Sequence, residues 1–194
     1  GISLKKIEGN PKMDIKNNQS AAVRKANEKA KFVKYDLTFT SSMDVYLYYG
    51  AGTFEKFQAR NFGGSSKGDW KLELKGKSAA QGKIQGAVLI ELLKNAGFTN
   101  ISQFKIPTWA ESAPGKSKAQ EDITDEIYKL LKEYSATKFD KSQKAEVNNK
   151  AQIALQDKSW RYSKLAGLRF LDWLTKCKDP DMAMKEIYLY ASSQ

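Results

Sequence analysis

Histidine is absent from this chain of 194 residues, and cysteine occurs once. The absence of histidine excludes Ser-His-Asp and Cys-His triads, HExxH zinc sites and any imidazole general base. Cys177 alone can form neither a disulfide within the chain nor a cysteine-rich metal site, and its apolar neighbours in the sequence predict a packing role. Catalysis in this protein would therefore have to use carboxylates, lysine, tyrosine, serine or metal-bound water.

Long apolar runs are absent as well. A membrane-spanning helix needs roughly 20 consecutive apolar residues, and no stretch of the chain approaches that length. The N-terminal segment is polar and basic and lacks the apolar core of a signal peptide. Together with the single cysteine, this pattern predicts a protein of the cytoplasm or another reducing intracellular compartment, neither secreted nor inserted in a membrane.

The charge is strongly positive and unevenly distributed. The chain carries 33 Lys and Arg against 22 Asp and Glu, a net charge of +11. Residues 1–83 hold 16 of the basic and 8 of the acidic residues. Such a field concentrates polyanions, so we expect nucleic acid to be the partner; an anionic membrane surface or solubility alone are the alternatives.

Hydrophobic periodicity in the first half predicts an α+β fold built on a mainly antiparallel meander. Short glycine-rich connections separate segments of alternating polarity, which is typical of hairpins. In the first of these strands Val33, Tyr35 and Leu37 alternate with Lys34 and Asp36. The predicted order is helix 18–31, strands 32–40, 45–49, 54–62 and 69–76, helix 78–97 after a capping box, and strand 100–106.

The second half is predicted to be helical. Residues 107–117 have the composition of a linker, and the residues beyond show apolar positions at helical spacing. The predicted helices are 120–134, 142–155, 160–177 and 182–190, the last opened by Asp179 and Pro180 as N-cap and first residue. The sequence thus predicts a core at 1–106 and a helical extension at 118–194 that packs on it.

The strand 69–76 carries the most informative chemistry. Side chains alternate between the faces of a strand, so Asp69, Lys71, Glu73 and Lys75 share one side. Two carboxylates in such a row can hold Mg²⁺ or Mn²⁺, and the metal would activate a water for attack on a phosphodiester. A charged, solvated face of an antiparallel sheet is the structural alternative.

These residues resemble the PD-(D/E)XK nuclease superfamily. The similarity covers about residues 18–106: Glu73-Leu74-Lys75 stands on a strand, an aspartate precedes it, and a helix and a strand follow. The resemblance implies that Glu73 is a metal ligand and that Lys75 positions the attacking water. It also implies a second metal ligand, which would be Asp69 or Asp44. An additional acidic residue is implied as well, which would be Glu28.

Basic and aromatic residues near this strand predict contacts with nucleic acid. The predicted phosphate-binding residues are Arg60, Lys71, Lys77 and Lys83. Tyr46 and Tyr48 are predicted to stack on unpaired bases. A basic surface on the helix 160–177 and just before it is either an extension of this phosphate track or a solvated helix face; it consists of Lys158, Arg161, Lys164 and Arg169.

The sequence therefore predicts a metal-dependent nuclease acting on DNA or RNA, with Asp69, Glu73 and Lys75 as its catalytic residues and Asp44, Asp69 and Glu73 as its metal ligands. The alternative is a basic protein that binds nucleic acid without catalysis, or an assembly protein whose helical half contacts a partner chain. Homo-oligomerisation or membership of a larger assembly stays open.

Overall fold

The computed structural model describes residues 28–37, 44–60, 70–78, 81–104, 117–134 and 158–194. Five strands are followed by helices, so the α+β prediction is confirmed. The strands are β1 (Lys31–Leu37), β2 (Val45–Ala51), β3 (Thr53–Arg60), β4 (Lys71–Leu74) and β5 (Lys83–Gln85). The helices are α1 (Gly86–Asn95), a 3₁₀ turn (Ile101–Phe104), α2 (Ser117–Tyr134), α3 (Lys158–Lys176) and α4 (Pro180–Ser192).

The five strands form one antiparallel sheet in the order β1-β2-β3-β4-β5. Each strand pairs with its neighbour in sequence, as the predicted meander requires. One face is apolar, and the helices cover it. Its buried residues come from the four strands β2 to β5; they are Val45, Leu47, Tyr49, Phe57, Ala59, Leu72, Leu74 and Ile84.

A β-bulge in β1 changes the predicted alternation of that strand. The pairing with β2 shifts between Phe32 and Lys34, so Phe32 lies opposite Tyr49 and packs against the core. Val33, predicted to face the core, is instead 45% exposed. A bulge inserts one extra residue into a strand, which a period-two pattern does not reveal.

The predicted helix 78–97 begins later than expected. Residues 83–85 form β5, which pairs with β4, and α1 starts only at Gly86. Gly86 permits a close approach to Trp70, the residue before β4, because a Cβ at this position would lie 2.3 Å from Nε1 of Trp70. Ile84 is buried in β5 and would also be buried in a helix, so the spacing of the apolar residues did not distinguish a strand from a helix here.

The predicted strand 100–106 is wrong where the structure describes it. Asn100 adopts a left-handed backbone (φ 58°), which ends any extended path, and Ile101–Phe104 forms a 3₁₀ turn. Ile101 and Phe104 are both buried, as the three-residue period of a 3₁₀ helix allows.

The C-terminal helices follow the predicted bounds closely. Asp179 caps α4 by accepting a hydrogen bond from the Met182 amide (2.9 Å), and Pro180 occupies the first turn. Asp181 accepts a hydrogen bond from the backbone amide of Phe32 (2.8 Å), which fastens α4 to the edge strand β1. Buried residues of the sheet and of the helices form one hydrophobic cluster, so the described helices pack on the sheet.

Several predicted elements lie outside the described residues. These are the helix 142–155, most of the helix 18–31, the ends of the strands 32–40, 54–62 and 100–106, and the linker 107–117 except Ser117, which opens α2. Where residues 28–31 are described, β1 already begins at Lys31. Within the described ranges, no helix has the length and apolar character needed to cross a bilayer.

We expect Gly50→Ala to destabilise the β2–β3 hairpin, because its Cβ would lie 2.1 Å from the Thr53 carbonyl oxygen, a backbone atom that cannot move aside. The free energy of unfolding should fall by about 2 kcal/mol or more in urea titrations. Gly52→Ala is the matched control: no heavy atom lies within 4 Å of its Cβ, and only backbone strain of about 1 kcal/mol is expected. Equal losses would contradict the steric explanation.

Candidate functional site

The face of the sheet opposite the helices carries most of the residues singled out in the sequence. We call it the open face. Cross-strand partners in an antiparallel sheet point to the same side, so the register assigns its members. They are Lys34 and Asp36 on β1, Tyr46 and Tyr48 on β2, Lys56, Gln58 and Arg60 on β3, Lys71, Glu73 and Lys75 along and after β4, and Lys83 on β5.

Two tyrosines and two lysines form the centre of the open face. The Lys56 ammonium lies 4.1 Å from the centroid of the Tyr46 ring and 5.9 Å from that of Tyr48. The Lys34 ammonium lies 4.7 Å from the Tyr48 centroid. Both distances below 5 Å are typical of cation–π contacts. The ring faces of Tyr46 and Tyr48 therefore receive ammonium groups, and both side chains are half-buried in the sheet surface.

Asp36 contacts both Tyr48 and Lys34. Burial raises the pKa of the Tyr48 phenol, and its hydrogen bond to the Asp36 carboxylate raises the pKa further. The same carboxylate lies 3.8 Å from the Lys34 ammonium, so the negative charge on this side of the face has a lysine beside it. Tyr48 consequently stays neutral and carries an ammonium over its ring at physiological pH.

Glu73 and Lys75, predicted catalytic residues, are neighbours on the open face. The Lys75 ammonium lies 3.5 Å from Glu73 Oε2, and only 15% of the Glu73 side chain is exposed. Gln58 of β3 and Lys83 of β5 flank Glu73 in the register. The structure thus brings the carboxylate and the amine of the Glu-x-Lys motif together, while Asp69 lies outside the described residues.

Three predicted phosphate contacts share this region of the sheet. Lys71 lies opposite Arg60 on one side and Gln85 on the other, and Lys83 lies opposite Glu73. The backbone of Arg60 places it on the open face. Lys77 is exposed in the turn after β4. Lys71 and Lys83 therefore join the lysines of β1 and β3 on one surface, with Lys77 at its border.

Asp44, predicted to bind metal, is instead part of a buried polar cluster. It is 4% exposed; its Oδ1 accepts a hydrogen bond from the Lys164 ammonium (2.7 Å) and its Oδ2 one from the Gln58 amide (2.7 Å). Lys164 is also 4% exposed. Both carboxylate oxygens are thus engaged by donors that bring their own charge or dipole, which argues against Asp44 as a metal ligand.

The basic surface predicted on α3 does not form a phosphate track where its side chains are described. Lys164 is buried against Asp44, and Arg169 makes a bidentate pair with Glu126 of α2 at 2.6 Å for both contacts. Arg169 therefore fixes α2 to α3. Tyr134 donates a hydrogen bond to Asp172 at the same helix pair, and burial together with this bond raises its pKa to about 12.

Within the described residues, no group of three or more His, Cys, Asp or Glu side chains is placed to hold a metal ion. Glu28, the additional acid implied by the resemblance, is exposed just before β1. A metal on the open face would rest on Glu73 together with Asp69, whose carboxylate oxygens are the donor type that Mg²⁺ prefers.

A cleft of about 260 Å³ lies between the segment after α1 and the end of α3. Cys177 lines it half-buried, with its thiol donating to the Leu174 carbonyl (3.2 Å), and burial raises the thiol pKa. Lys176 at the same cleft already pairs with Asp172 (2.5 Å) and Glu133 (3.2 Å). The packing role predicted for Cys177 agrees with a thiol that resists ionisation.

No function was predicted for three residues of the open face: Lys34, Lys56 and Gln58. Their signal was available in part, because a hairpin closed at Gly50–Gly52 places Lys56 opposite Tyr48. Lys34 lies opposite Tyr48 in the regular part of the β1–β2 pairing, on the polar side that the alternation of β1 predicts.

We expect Asp44→Ala to lower the free energy of unfolding by about 3–5 kcal/mol, because the buried Lys164 ammonium would lose its carboxylate. The double variant Asp44→Leu/Lys164→Met should recover much of this loss, since it removes both charges. Glu91→Ala is the control, because its pair with Lys94 is exposed and contributes at most about 1 kcal/mol. Urea titrations of the four proteins measure these differences, and a cost for Asp44→Ala no greater than for Glu91→Ala would refute the buried pair.

Comparison of the chain with protein-family models, curated proteins and solved structures finds no match. The resemblance to PD-(D/E)XK nucleases stays a prediction on which these comparisons do not bear.

Proposed function

We propose that this protein binds nucleic acid along the open face of its sheet. The observation that carries the proposal is the charge of that face. Five lysines with described side chains stand on it against two carboxylates; the lysines are Lys34, Lys56, Lys71, Lys75 and Lys83, and the carboxylates are Asp36 and Glu73. Lysines clustered on one face are the electrostatic footprint of a phosphate backbone.

The distribution of the carboxylates supports the same proposal. Among the described side chains of the open face, each acid has a lysine two residues away in the sequence: Asp36 lies 3.8 Å from Lys34, and Glu73 lies 3.5 Å from Lys75. These two negative charges are thereby offset locally. A polyanion passing across β2 and β3 would meet lysine and tyrosine side chains.

We expect binding to weaken steeply with salt, because each lysine–phosphate contact releases condensed counterions. Lys71→Gln/Lys83→Gln should weaken binding and reduce the slope of log affinity against log salt by about two. The control Lys94→Gln/Lys178→Gln makes the same change of charge at exposed lysines outside the sheet and should leave the slope nearly unchanged. Fluorescence anisotropy with labelled DNA and RNA measures both quantities.

Equal slopes for the two double variants would contradict the proposed surface. Binding no tighter than that of an unrelated protein of similar positive charge would contradict nucleic-acid binding altogether. It would favour an assembly role instead, for which light scattering would show an oligomer or complex.

A second candidate function is metal-dependent hydrolysis of the bound nucleic acid, and the adjacency of Glu73 and Lys75 favours it. The shielded Glu73 carboxylate and Asp69 would hold Mg²⁺ or Mn²⁺, which supplies an activated water and stabilises charge on the scissile phosphate. Lys75 would orient that water. The motif needs no histidine, in keeping with the composition of the chain.

For this second function we expect cleavage of labelled DNA or RNA only with added Mg²⁺ or Mn²⁺. Glu73→Gln, Asp69→Asn and Lys75→Met should each lower the rate by at least about a hundredfold, the scale of losing a group that positions or activates a nucleophile. Glu91→Gln removes an exposed carboxylate on α1 and should retain full activity. Equal cleavage by all variants, or none by the wild type with either metal, would eliminate the catalytic assignment while leaving the binding proposal intact.

A further inference from the structure

We infer that the open face takes an unpaired polynucleotide strand, with two bases stacked on Tyr46 and Tyr48 while the Lys34 and Lys56 ammonium groups move from the rings to the flanking phosphates. This inference rests on the proposed binding function and deepens it by naming the class of nucleic acid.

The position of the tyrosines selects an unpaired strand. Tyr46 and Tyr48 are two residues apart on β2 and share one face, so their Cα atoms are about 6.7 Å apart along the strand. Bases within a duplex strand are stacked at about 3.4 Å, with their flat faces already covered by neighbours. A duplex thus presents only phosphates and base edges to a flat sheet, whereas an unpaired strand can present base faces at the wider spacing.

The energies decide what occupies the rings. In the free protein Lys56 lies 4.1 Å from the Tyr46 centroid and Lys34 lies 4.7 Å from that of Tyr48. An exposed cation–π contact contributes about 0.5–1 kcal/mol, whereas stacking a base on an aromatic side chain contributes about 1–3 kcal/mol. A base therefore displaces the ammonium. The displaced lysine stays beside the stacked base, where the phosphates of the same strand pass.

The surroundings of the rings fit this occupant. Lys34 is 58% exposed, so its ammonium is free to move into solvent on displacement. The Tyr48 phenol donates a hydrogen bond to Asp36, at the end of the ring away from the sheet backbone, so this bond leaves the ring faces uncovered. On the hairpin side Phe54 is 51% exposed on the same strand face as Lys56, which extends the aromatic surface toward the turn.

Anisotropy titrations with a labelled 12-nucleotide oligo-dT, an oligo-rU of equal length and a 12-base-pair duplex test the inference. Wild-type protein should bind an unpaired strand more tightly than the duplex. Tyr46→Leu/Tyr48→Leu should weaken single-strand binding at least about tenfold, because two stacked bases are lost. It should change duplex binding little. Tyr46→Phe/Tyr48→Phe is the matched control: it keeps both rings and should retain single-strand affinity.

A fluorescent 2-aminopurine placed within the unpaired strand reports stacking directly. Its emission should change on binding to wild type and to Lys34→Gln/Lys56→Gln, since the latter keeps the rings, and should not change with the leucine variant. The lysine variant should show a salt slope lower by about one to two. If circular dichroism shows that the leucine double variant is unfolded, the single variants Tyr46→Leu and Tyr48→Leu replace it, each with a loss of about fivefold.

The outcomes separate the inference from the proposed function. Absence of binding to all three probes beyond a cationic control protein overturns both. Binding to the duplex as tightly as to the single strands, or unchanged single-strand affinity and 2-aminopurine signal in the leucine variants, overturns the inference and leaves the binding function standing. Preference for an unpaired strand that is lost with the rings supports it, and the tighter of oligo-dT and oligo-rU identifies the sugar.

Discussion

The buried ion pair between Lys164 and Asp44 joins helix α3 to the sheet. Both side chains are almost wholly buried, and a buried charge without a partner is costly. The pair gains little over two apolar residues, because desolvation offsets most of the attraction, but it tolerates few alternative arrangements. Gln58 donates to the second carboxylate oxygen, so the pair joins the start of β2, the end of β3 and the first half of α3.

Helix α3 lies on the apolar face of the sheet. One turn beyond Lys164, Gly167 brings α3 close to the sheet, where an added Cβ would be 3.1 Å from the Ala59 Cβ. The helix axis therefore runs directly over Val45 and Ala59, on the apolar face. Helices α3 and α4 both contact the sheet from this side, and the polar residues of alternating sequence remain on the other.

The sequence predicts the elements that have a strong hydrophobic periodicity. It does not predict features that depend on the backbone conformation of one or two residues. The meander from β1 to β4 follows from alternation and glycine-rich turns, and α4 follows from its cap at Asp179. The bulge at Phe32 and Lys34, the left-handed Asn100 and the late start of α1 each depend on one or two residues that leave the periodicity almost unchanged. These positions are set by tertiary packing, which a local pattern does not contain.

The residues of the candidate site differ in the same respect: the positions of some follow from the sequence, and those of others depend on the fold. The pairing of Glu73 with Lys75 is readable from the sequence, because residues two apart on a strand share a face. The buried pairing of Asp44 cannot be read from the sequence, because its partner Lys164 is 120 residues away. A carboxylate near the start of a strand reads equally well as a metal ligand or as half of a buried pair, and only the fold distinguishes them.

Strand β1 contributes to both faces of the sheet. From Lys34 to Leu37 its pairing with β2 is regular, so Lys34 and Asp36 lie opposite Tyr48 and Tyr46 on the open face. The bulge shifts only the residues before Lys34, which places Phe32 opposite Tyr49 and in the core. Lys34 and Asp36 thus form one offset charge pair at the β1 edge, and Glu73 and Lys75 form the other on β4. Between them, the described side chains of β2 and β3 on this face include no carboxylate along the strands, so the path across Tyr46, Tyr48 and Lys56 is the part of the surface that repels phosphate least.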